Sequence, residues 1–370
     1  KWSRSLHEEF GFLSTYGGRT NIPVVFEDMV IASAVVTGWG DTARPAHRFL
    51  GLDAKTGEVR WMNGTKELPE DTTYSTPSIA DFGGTAALVF GSSDGSVWNL
   101  QPRTGKATWN FKLSRRGLNV PPLVDGTTIY MAQAEENLDN TTMGSVTAFD
   151  GTAVPPPAEA KPAPAAGAPP AGPPAPPAPN TDITTVAVKW QNKGVMDGRA
   201  MPVILGDRIY FIDDGAKVFA FDKNTGEAVG KPQKLLGTIV RGSPLVADGK
   251  LYVCSTGGWH VLAPTENGLK FVNRMRLADT DEVTASPIAW NGRIYLTTGE
   301  RLLCIGKADA KGSDAPVQTT AAKVAAATAA KPGEPAWVQV VPAEAQVAAG
   351  AKVKLRARLF DATGRFVDRK

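Results

Sequence analysis

The chain has 370 residues, with 40 Lys plus Arg against 37 Asp plus Glu, and a formal net charge of +3. A surface this balanced, with no long basic run, excludes a nucleic-acid footprint or a polybasic membrane contact, and 42% apolar residues exclude a wholly disordered chain. Two Cys and three His exclude a disulfide scaffold and most multi-ligand zinc sites, and no apolar run approaches the ~20 residues of a membrane-spanning helix.

At the start of the chain, Lys1-Trp2-Ser3-Arg4-Ser5-Leu6 reads as a strand already under way. At its end, Phe366-Val367 closes another strand-like run. The expectation is a fragment truncated at both ends, so a missing signal peptide carries no information about compartment. His7-Glu8-Glu9 has no second His at helical spacing and reads as a solvated loop.

Six segments then share one template of Pro, a short apolar run, a tight turn and an apolar-aromatic strand. Pro23-Val-Val-Phe-Glu-Asp-Met-Val-Ile31 is the first, and Pro77-Ser-Ile-Ala-Asp-Phe-Gly-Gly-Thr-Ala-Ala-Leu-Val-Phe90 has a longer turn. The other four are Pro122–Tyr130, Pro202–Tyr210, Pro244–Tyr252 and Pro287–Tyr295, each with eight residues from Pro to Tyr. Asp-Gly or Asn-Gly between apolar runs is the strongest short-range hairpin signal, because these residues accept positive φ.

A second half-template follows the first: an alternating strand, Asp, two or three residues, Thr-Gly, and a strand often ending in Trp. Phe49-Leu-Gly-Leu-Asp53-Ala-Lys-Thr56-Gly57-Glu-Val-Arg-Trp61 shows it in full. Gly95-Ser-Val-Trp-Asn-Leu-Gln-Pro-Arg-Thr104-Gly105-Lys-Ala-Thr-Trp109 and Ala216-Lys-Val-Phe-Ala-Phe-Asp222-Lys-Asn-Thr225-Gly226 repeat it, and Gly144-Ser-Val-Thr-Ala-Phe-Asp150 begins a fourth copy. Asp53, Asp150 and Asp222 recur at one position, which marks a turn role. The template prolines recur at intervals of 54, 45, 80, 42 and 43 residues. Four short strands per unit at this period predict an all-β protein, a β-propeller of four-stranded antiparallel blades. Six blades are visible here, and seven or eight are expected in the full protein. Trp61 and Trp109, at the ends of outer strands, are placed to dock on the neighbouring blade.

Two segments break the pattern. Residues 154–180 hold 12 Pro among many Ala and predict an extended spacer on a blade's outer rim. Residues 307–335 read as an Ala/Lys/Pro-rich linker, helical around Ala321–Ala330. In residues 336–370, Val353, Leu355, Ala357 and Leu359 alternate with Lys and Arg as a half-buried strand. This segment looks like the opening of a bacterial immunoglobulin-like sandwich. The domain expectation is thus a propeller over 1–306, a linker over 307–335 and a truncated Ig-like segment over 336–370.

The units Gly51-Leu-Asp-Ala-Lys-Thr-Gly-Glu-Val-Arg-Trp61 and Ala220-Phe-Asp-Lys-Asn-Thr-Gly-Glu227 resemble the PQQ-like (pyrroloquinoline-quinone-like) β-propeller repeat, over residue 1 to about 307. That family includes quinoprotein alcohol dehydrogenases and the non-catalytic propeller lipoprotein of the outer-membrane protein assembly machinery. The Ig-like segment and the Ala/Pro-rich insertions are similar to planctomycete-type secreted propeller proteins. Quinone-using members carry two adjacent cysteines, a Ca²⁺-binding carboxylate–amide set and a catalytic Asp. Here Cys254 and Cys304 lie 50 residues apart, and no haem-attachment Cys-x-x-Cys-His occurs. The expectation is a scaffold without PQQ, Ca²⁺ or any other cofactor, and without catalytic or metal-ligating residues.

The structural repeat positions are Asp53, Gly57, Trp61, Gly105, Trp109, Asp222 and Gly226. Trp259 and His260, in Gly257-Gly258-Trp259-His260-Val261, are the channel candidates, weighed against ordinary strand residues. Asp279-Thr-Asp281-Glu282 is weighed as a cation site against a solvated loop, and Cys254 and Cys304 as buried free thiols against a disulfide. Asn63-Gly-Thr65 and Asn140-Thr-Thr142 match the glycosylation sequon. Arg115, Arg116 and Arg199 precede template prolines in loops of the face that carries binding in propellers.

The expected function is that of a non-catalytic periplasmic, cell-surface or secreted interaction platform. It would be a monomer with protein partners, with a glycan as a further ligand class and no nucleic acid. The alternatives are a quinoprotein-type dehydrogenase whose cofactor residues lie outside this sequence, and a glycan-associated module.

Overall fold

The computed structural model describes residues 1–12, 22–36, 46–65, 73–139, 141–155, 181–278, 280–307, 309, 312 and 320–367. The chain opens on a short helix, Leu6–Phe10 (α1), and not on a strand. Ser5 caps it by accepting from Glu8 N, and Glu9 accepts from Ser5 N in return. This local exchange satisfies first-turn amides, so the His7-Glu8-Glu9 segment expected to be a loop is helical.

Each pair of half-templates then closes into one antiparallel meander. The first blade is Val24–Phe26 (β1), Met29–Val36 (β2), Ala46–Asp53 (β3) and Val59–Gly64 (β4). The second is Ser78–Asp81 (β5), Ala86–Gly91 (β6), Ser96–Leu100 (β7) and Ala107–Lys112 (β8). The third begins with Leu123–Asp125 (β9), Thr128–Glu136 (β10) and Met143–Asp150 (β11). Of the Pro-rich insertion 154–180, residues 156–180 lie outside the described residues. Beyond them Thr181–Asp182 (β12) runs parallel to β8 as a fifth strand of the second blade, a short helix, Thr184–Ala187 (α2), follows, and Val188–Lys193 (β13) returns to complete the third blade against β11.

Val203–Leu205 (β14), Arg208–Ile212 (β15), Lys217–Asp222 (β16) and Gln233–Lys234 (β17) form the fourth blade. Leu245–Ala247 (β18), Lys250–Ser255 (β19), Gly258–Thr265 (β20) and Gly268–Arg276 (β21) form the fifth. The sixth has three strands among the described residues, Ile288–Trp290 (β22), Arg293–Thr297 (β23) and Leu302–Ile305 (β24). The predicted hairpins take the backbone their residues allow. At Asp248-Gly249 and Asn291-Gly292 both central residues have positive φ (48 and 63°, 48 and 70°), as a type I′ turn requires.

The core lies between blades rather than inside one. Along β6, Leu88 and Phe90 face the first blade's Phe26, Ile31 and Phe49, while Val89 faces the third blade's Ile129 and Met131. Along β15, Ile209 and Phe211 pack toward the third blade, and Tyr210 and Ile212 toward the fifth. Alternate residues of one strand point to opposite faces, so a strand apolar at every position buries both faces only when sandwiched between neighbours.

The chain end packs back on this array. Thr320–Ala327 (α3), inside the stretch expected to be a linker, buries Val324 in the core between the first two blades, with Ala321 and Ala325 beside it. Residues 308, 310, 311 and 313–319 of that stretch lie outside the described residues. Pro335–Val341 (β25), Arg356–Asp361 (β26) and Phe366–Val367 (β27) form a three-stranded antiparallel sheet. The expected strand starts later than its alternation suggests. Pairing with β25 ends at Val341↔Arg356, and Val353 and Leu355 are exposed. The sheet sits on the Thr-Gly turns of the first two blades. Ala343 N donates to Val59 O, Arg356 pairs with Glu58, Lys106 lies over the Trp337 ring, and Gln101 Nε2 donates to Thr363 O.

Candidate interaction face

The repeat positions build the joints that hold the blades in register. Asp53 accepts from the amides of Lys55 and Thr56, and Asp222 from those of Asn224 and Thr225. Each such Asx turn ends in a glycine, Gly57 at φ +72° and Gly226 at +75°, and Gly105 of the second blade matches them at +70°. A Trp from the preceding outer segment lies flat on each: Trp2 on Gly57, Trp61 on Gly105, Trp190 on Gly226. A methyl at any of the three would come closer than 3.0 Å to the ring. The three indole Nε1 groups donate to equivalent carbonyls, Ala54, Pro102 and Lys223, each at 3.0 Å. Two residues beyond each Trp a second donor reaches the glycine carbonyl: Arg4 to Gly57, Asn63 to Gly105 and Asn192 to Gly226. The Asn63 sequon amide is thus occupied in an inter-blade bond, while Asn140 lies outside the described residues.

Trp109 departs from this pattern. Its partner turn, Asp150-Gly151-Thr152, leads into the insertion. The indole packs near Phe82 and edge-on to Phe149 instead, with Phe111 stacked on Phe149 at 4.0 Å. Among the described residues the Trp109 indole makes no bond equivalent to the other three.

Trp259 and His260, expected near the axial channel, lie on β20, the third strand of the fifth blade. Trp259 is buried beside Tyr252. His260 is fully buried, its Nδ1 facing Val253 O and its Nε2 accepting from Leu236 N at 2.9 Å. Burial lowers its pKa. The template Pro, and not the Gly-Gly that precedes Trp259, marks the first strand, so these side chains serve the blade's interior.

Asp279 lies outside the described residues. Asp281 is held by Arg301 and Thr298, and Glu282 pairs with Arg241 at 3.2 Å. Among the described residues no group of three or more His, Cys, Asp or Glu is placed to hold a metal ion.

Both cysteines are free, but only Cys254 is buried; Cys304 is exposed on β24, which corrects the expectation of two buried thiols. Burial pushes the Cys254 thiol up to about 12. Because the thiolate is the reactive form, one thiol per native molecule, Cys304, is expected to react with a dithiobenzoate reagent. Cys254 should follow only after denaturation, and two thiols reacting at native rates would contradict this placement.

The Asp-x-x-Thr-Gly turns and the Pro-led hairpins share one end of the blades. The opposite end carries the remaining loops, and there the third blade exposes three apolar side chains, Leu138, Met143 and Met196, each about 40% accessible. Gly144 lets this rim close up, because a side chain there would strike the Val195 carbonyl and Met196. Arg115 donates from Nε and Nη2 to Leu138 O, Arg116 faces Glu136 at 3.4 Å, and Arg199 pairs with Asp214 at 2.9 Å. Arg115, Arg116 and Arg199 thus share this loop face with the apolar trio. Next to it, between Trp98, Lys112, Arg115 and Leu138, lies a cavity of about 550 Å³. Exposed apolar side chains beside arginine are the composition of a protein-binding surface. Leu138, Met143 and Met196 were not among the expected site residues; an isolated Leu inside the polar run Glu135–Thr142, with Met143 directly after it, was the available signal.

Blades of this construction, joined by Trp-on-Gly contacts at the Thr-Gly turn, define a β-propeller assembled from PQQ-like repeats. Residues 2–154 match the family described as outer membrane protein assembly factor BamB. Among solved structures the chain is similar to BamB from Moraxella catarrhalis, with 16% identity and a TM-score of 0.50 over 76% of this chain and 70% of that one. It is also similar to the computationally designed Ika8 protein, with 11% identity and a TM-score of 0.51 over 96% and 88%. At such identities the likeness is one of fold. No curated protein matches the chain. Among the described residues no helix is long and apolar enough to cross a membrane.

Proposed function

We propose that the protein is a non-catalytic interaction platform that works outside the cytoplasm, in the periplasm or at the cell surface, and binds a protein partner on the loop face over the third blade. The observation that carries this reading is the exposed trio Leu138, Met143 and Met196 sharing a face with Arg115, Arg116 and Arg199 on a rigidly joined array. The match of residues 2–154 to an outer-membrane assembly factor supports the compartment and the kind of role.

The quinone cofactor does not fit the residues present. The two cysteines are neither adjacent in sequence nor on one blade, one being buried and the other exposed, so no vicinal disulfide is available to stack on a quinone. Titration with pyrroloquinoline quinone and Ca²⁺, followed by Trp emission, should give no saturable quenching. Micromolar binding with dye-linked alcohol oxidation would overturn the platform reading.

The face itself is tested by a photo-reactive residue at Met143, with Asn224 on the opposite face as the reference. Partner cross-links are expected at position 143 and not at 224. Equal labelling of both faces would remove the assignment.

A further inference from the structure

A cavity of about 220 Å³ lies where the first two blades, the end of α3 and the C-terminal sheet meet. Four guanidinium groups line it, from Arg60, Arg103, Arg358 and Arg365, against two carboxylates, Glu27 and Asp28. Arg60 is matched, with Asp28 bidentate at 2.7 and 2.5 Å and Asp53 at 2.5 Å. Arg103 gives Nε and Nη2 to Glu27, but its Nη1 is buried with no partner among the described residues, in a side chain only 8% exposed.

The other two have no carboxylate partner among the described residues. Arg358 donates to Gln339 Oε1 and lies over the rings of Phe360 and Phe366 at 5.2 and 5.1 Å. Arg365 spends Nε and Nη2 on two carbonyls, Thr328 O and Gly84 O.

Guanidinium stays protonated in proteins, so this cavity keeps an excess of positive charge that its own acids do not balance. Burial, and then the neighbouring Arg60 charge, press the Arg358 pKa downward, against the opposing pull of Asp28 and Asp53. Water can accept a hydrogen bond from Arg103 Nη1 but leaves the charge as it is. An anion with several acceptor oxygens does both, and forked guanidinium donors suit a tetrahedral oxyanion.

We infer that this cavity is a binding site for a small tetrahedral oxyanion, phosphate or sulfate, held by the free Nη1 of Arg103 and the unpaired cations of Arg358 and Arg365. One side of the site belongs to the second blade and the other to the C-terminal sheet. A bound oxyanion therefore bridges propeller and sheet, and its occupancy stabilises the docked arrangement by mass action.

The test is a calorimetric titration of the 370-residue chain with inorganic phosphate, and separately with sulfate, paired with thermal melts against chloride at matched ionic strength. One saturable site per chain is expected, with a Tm that climbs with the logarithm of phosphate concentration and not with chloride. Arg358→Gln should weaken phosphate binding about tenfold or more, the loss of one charge-assisted contact, while Arg241→Gln, in the loop between the fourth and fifth blades and paired with Glu282, leaves it unchanged. A Tm that follows ionic strength alone, or an Arg358→Gln protein that binds as the parent does, overturns the site. Arg365→Gln is the second variant should the first not fold, and the titration of the unaltered chain decides independently of both.

Discussion

Trp61→Ala is expected to lower the unfolding free energy by about 3–5 kcal/mol, the range for removing a large buried aromatic ring. The ring is 4% exposed and fills the space over Gly105, and its indole N–H satisfies the Pro102 carbonyl. Truncation therefore opens a cavity between two blades and also leaves an acceptor without its donor. Trp61→Phe separates the two effects. It keeps most of the apolar contact and should cost about 1 kcal/mol more than Trp109→Phe, because Trp109 has no equivalent bond to lose.

From the other side of the joint, Gly105→Ala places a methyl against the same ring on a backbone at φ +70°. Combined with Trp61→Ala it should be less than additive, since the vacated space admits the methyl. Urea midpoints with their m-values measure all five variants. A cost below about 1 kcal/mol for Trp61→Ala would show that the ring does not carry the joint.

The second large effect is a loss of stability in mild acid through His47. This residue is fully buried, its ring 4.6 Å from Phe49 and 5.4 Å from Phe90, with Nδ1 3.2 Å from Ser92 Oγ. Its Nε2 has no partner among the described residues. Burial pushes its pKa down to about 3 from 6.5. Between those two values the unfolded chain binds a proton that the folded chain refuses. The His47 contribution is therefore whole above pH 6.5 and is lost as pH falls toward 3, at about 1.4 kcal/mol per pH unit.

Asp53 adds a loss of the same sign only at lower pH. Burial would raise its pKa, but the Thr56 and Lys55 amides and Arg60 outweigh it and hold the carboxyl at about 2, so its share goes between 3.8 and 2. Asp197 acts in the opposite sense. Burial, then Asp214, raise its pKa well above 3.8, so it favours the folded state at low pH and loses that share as pH rises. Comparing His47→Phe with the parent isolates the histidine. Urea midpoints from pH 8 to pH 4 should fall less steeply in the variant, by about 3 kcal/mol in total. Parallel curves would mean that His47 takes up its proton in the folded protein.

Much of this fold was legible because its signals are local. A Pro-led apolar run with Asp-Gly or Asn-Gly forms a hairpin on its own chemistry, and Asp53 and Asp222 turn the chain with amides two and three residues away. The docking of Trp61 was legible too, since a large ring near the end of an outer strand needs a surface to cover. Trp109 carries the same signal and finds a different seat, because its partner turn was displaced by the insertion. The two cysteines show where pattern runs out. Both sit on apolar strands, and only the presence of a further blade on one side separates buried Cys254 from exposed Cys304. The loop-face trio was barely visible, since an exposed Leu or Met in a polar loop looks like any other surface residue.

The sequence by itself determined the repeat, its four strands, the turn chemistry and the two-faced apolar pattern that obliges blades to stack, all consequences of residues within a few positions of one another. Only the tertiary structure decided that residues 320–367 lie against the first two blades, and so brought Arg358 and Arg365 into one cavity with Arg60 and Arg103. That grouping joins positions up to about 300 residues apart, and no local rule encodes it. A charge acts on whatever docking places within a few ångströms, and here the docking is governed by Val324 in the inter-blade core and the edge of β25 against β4.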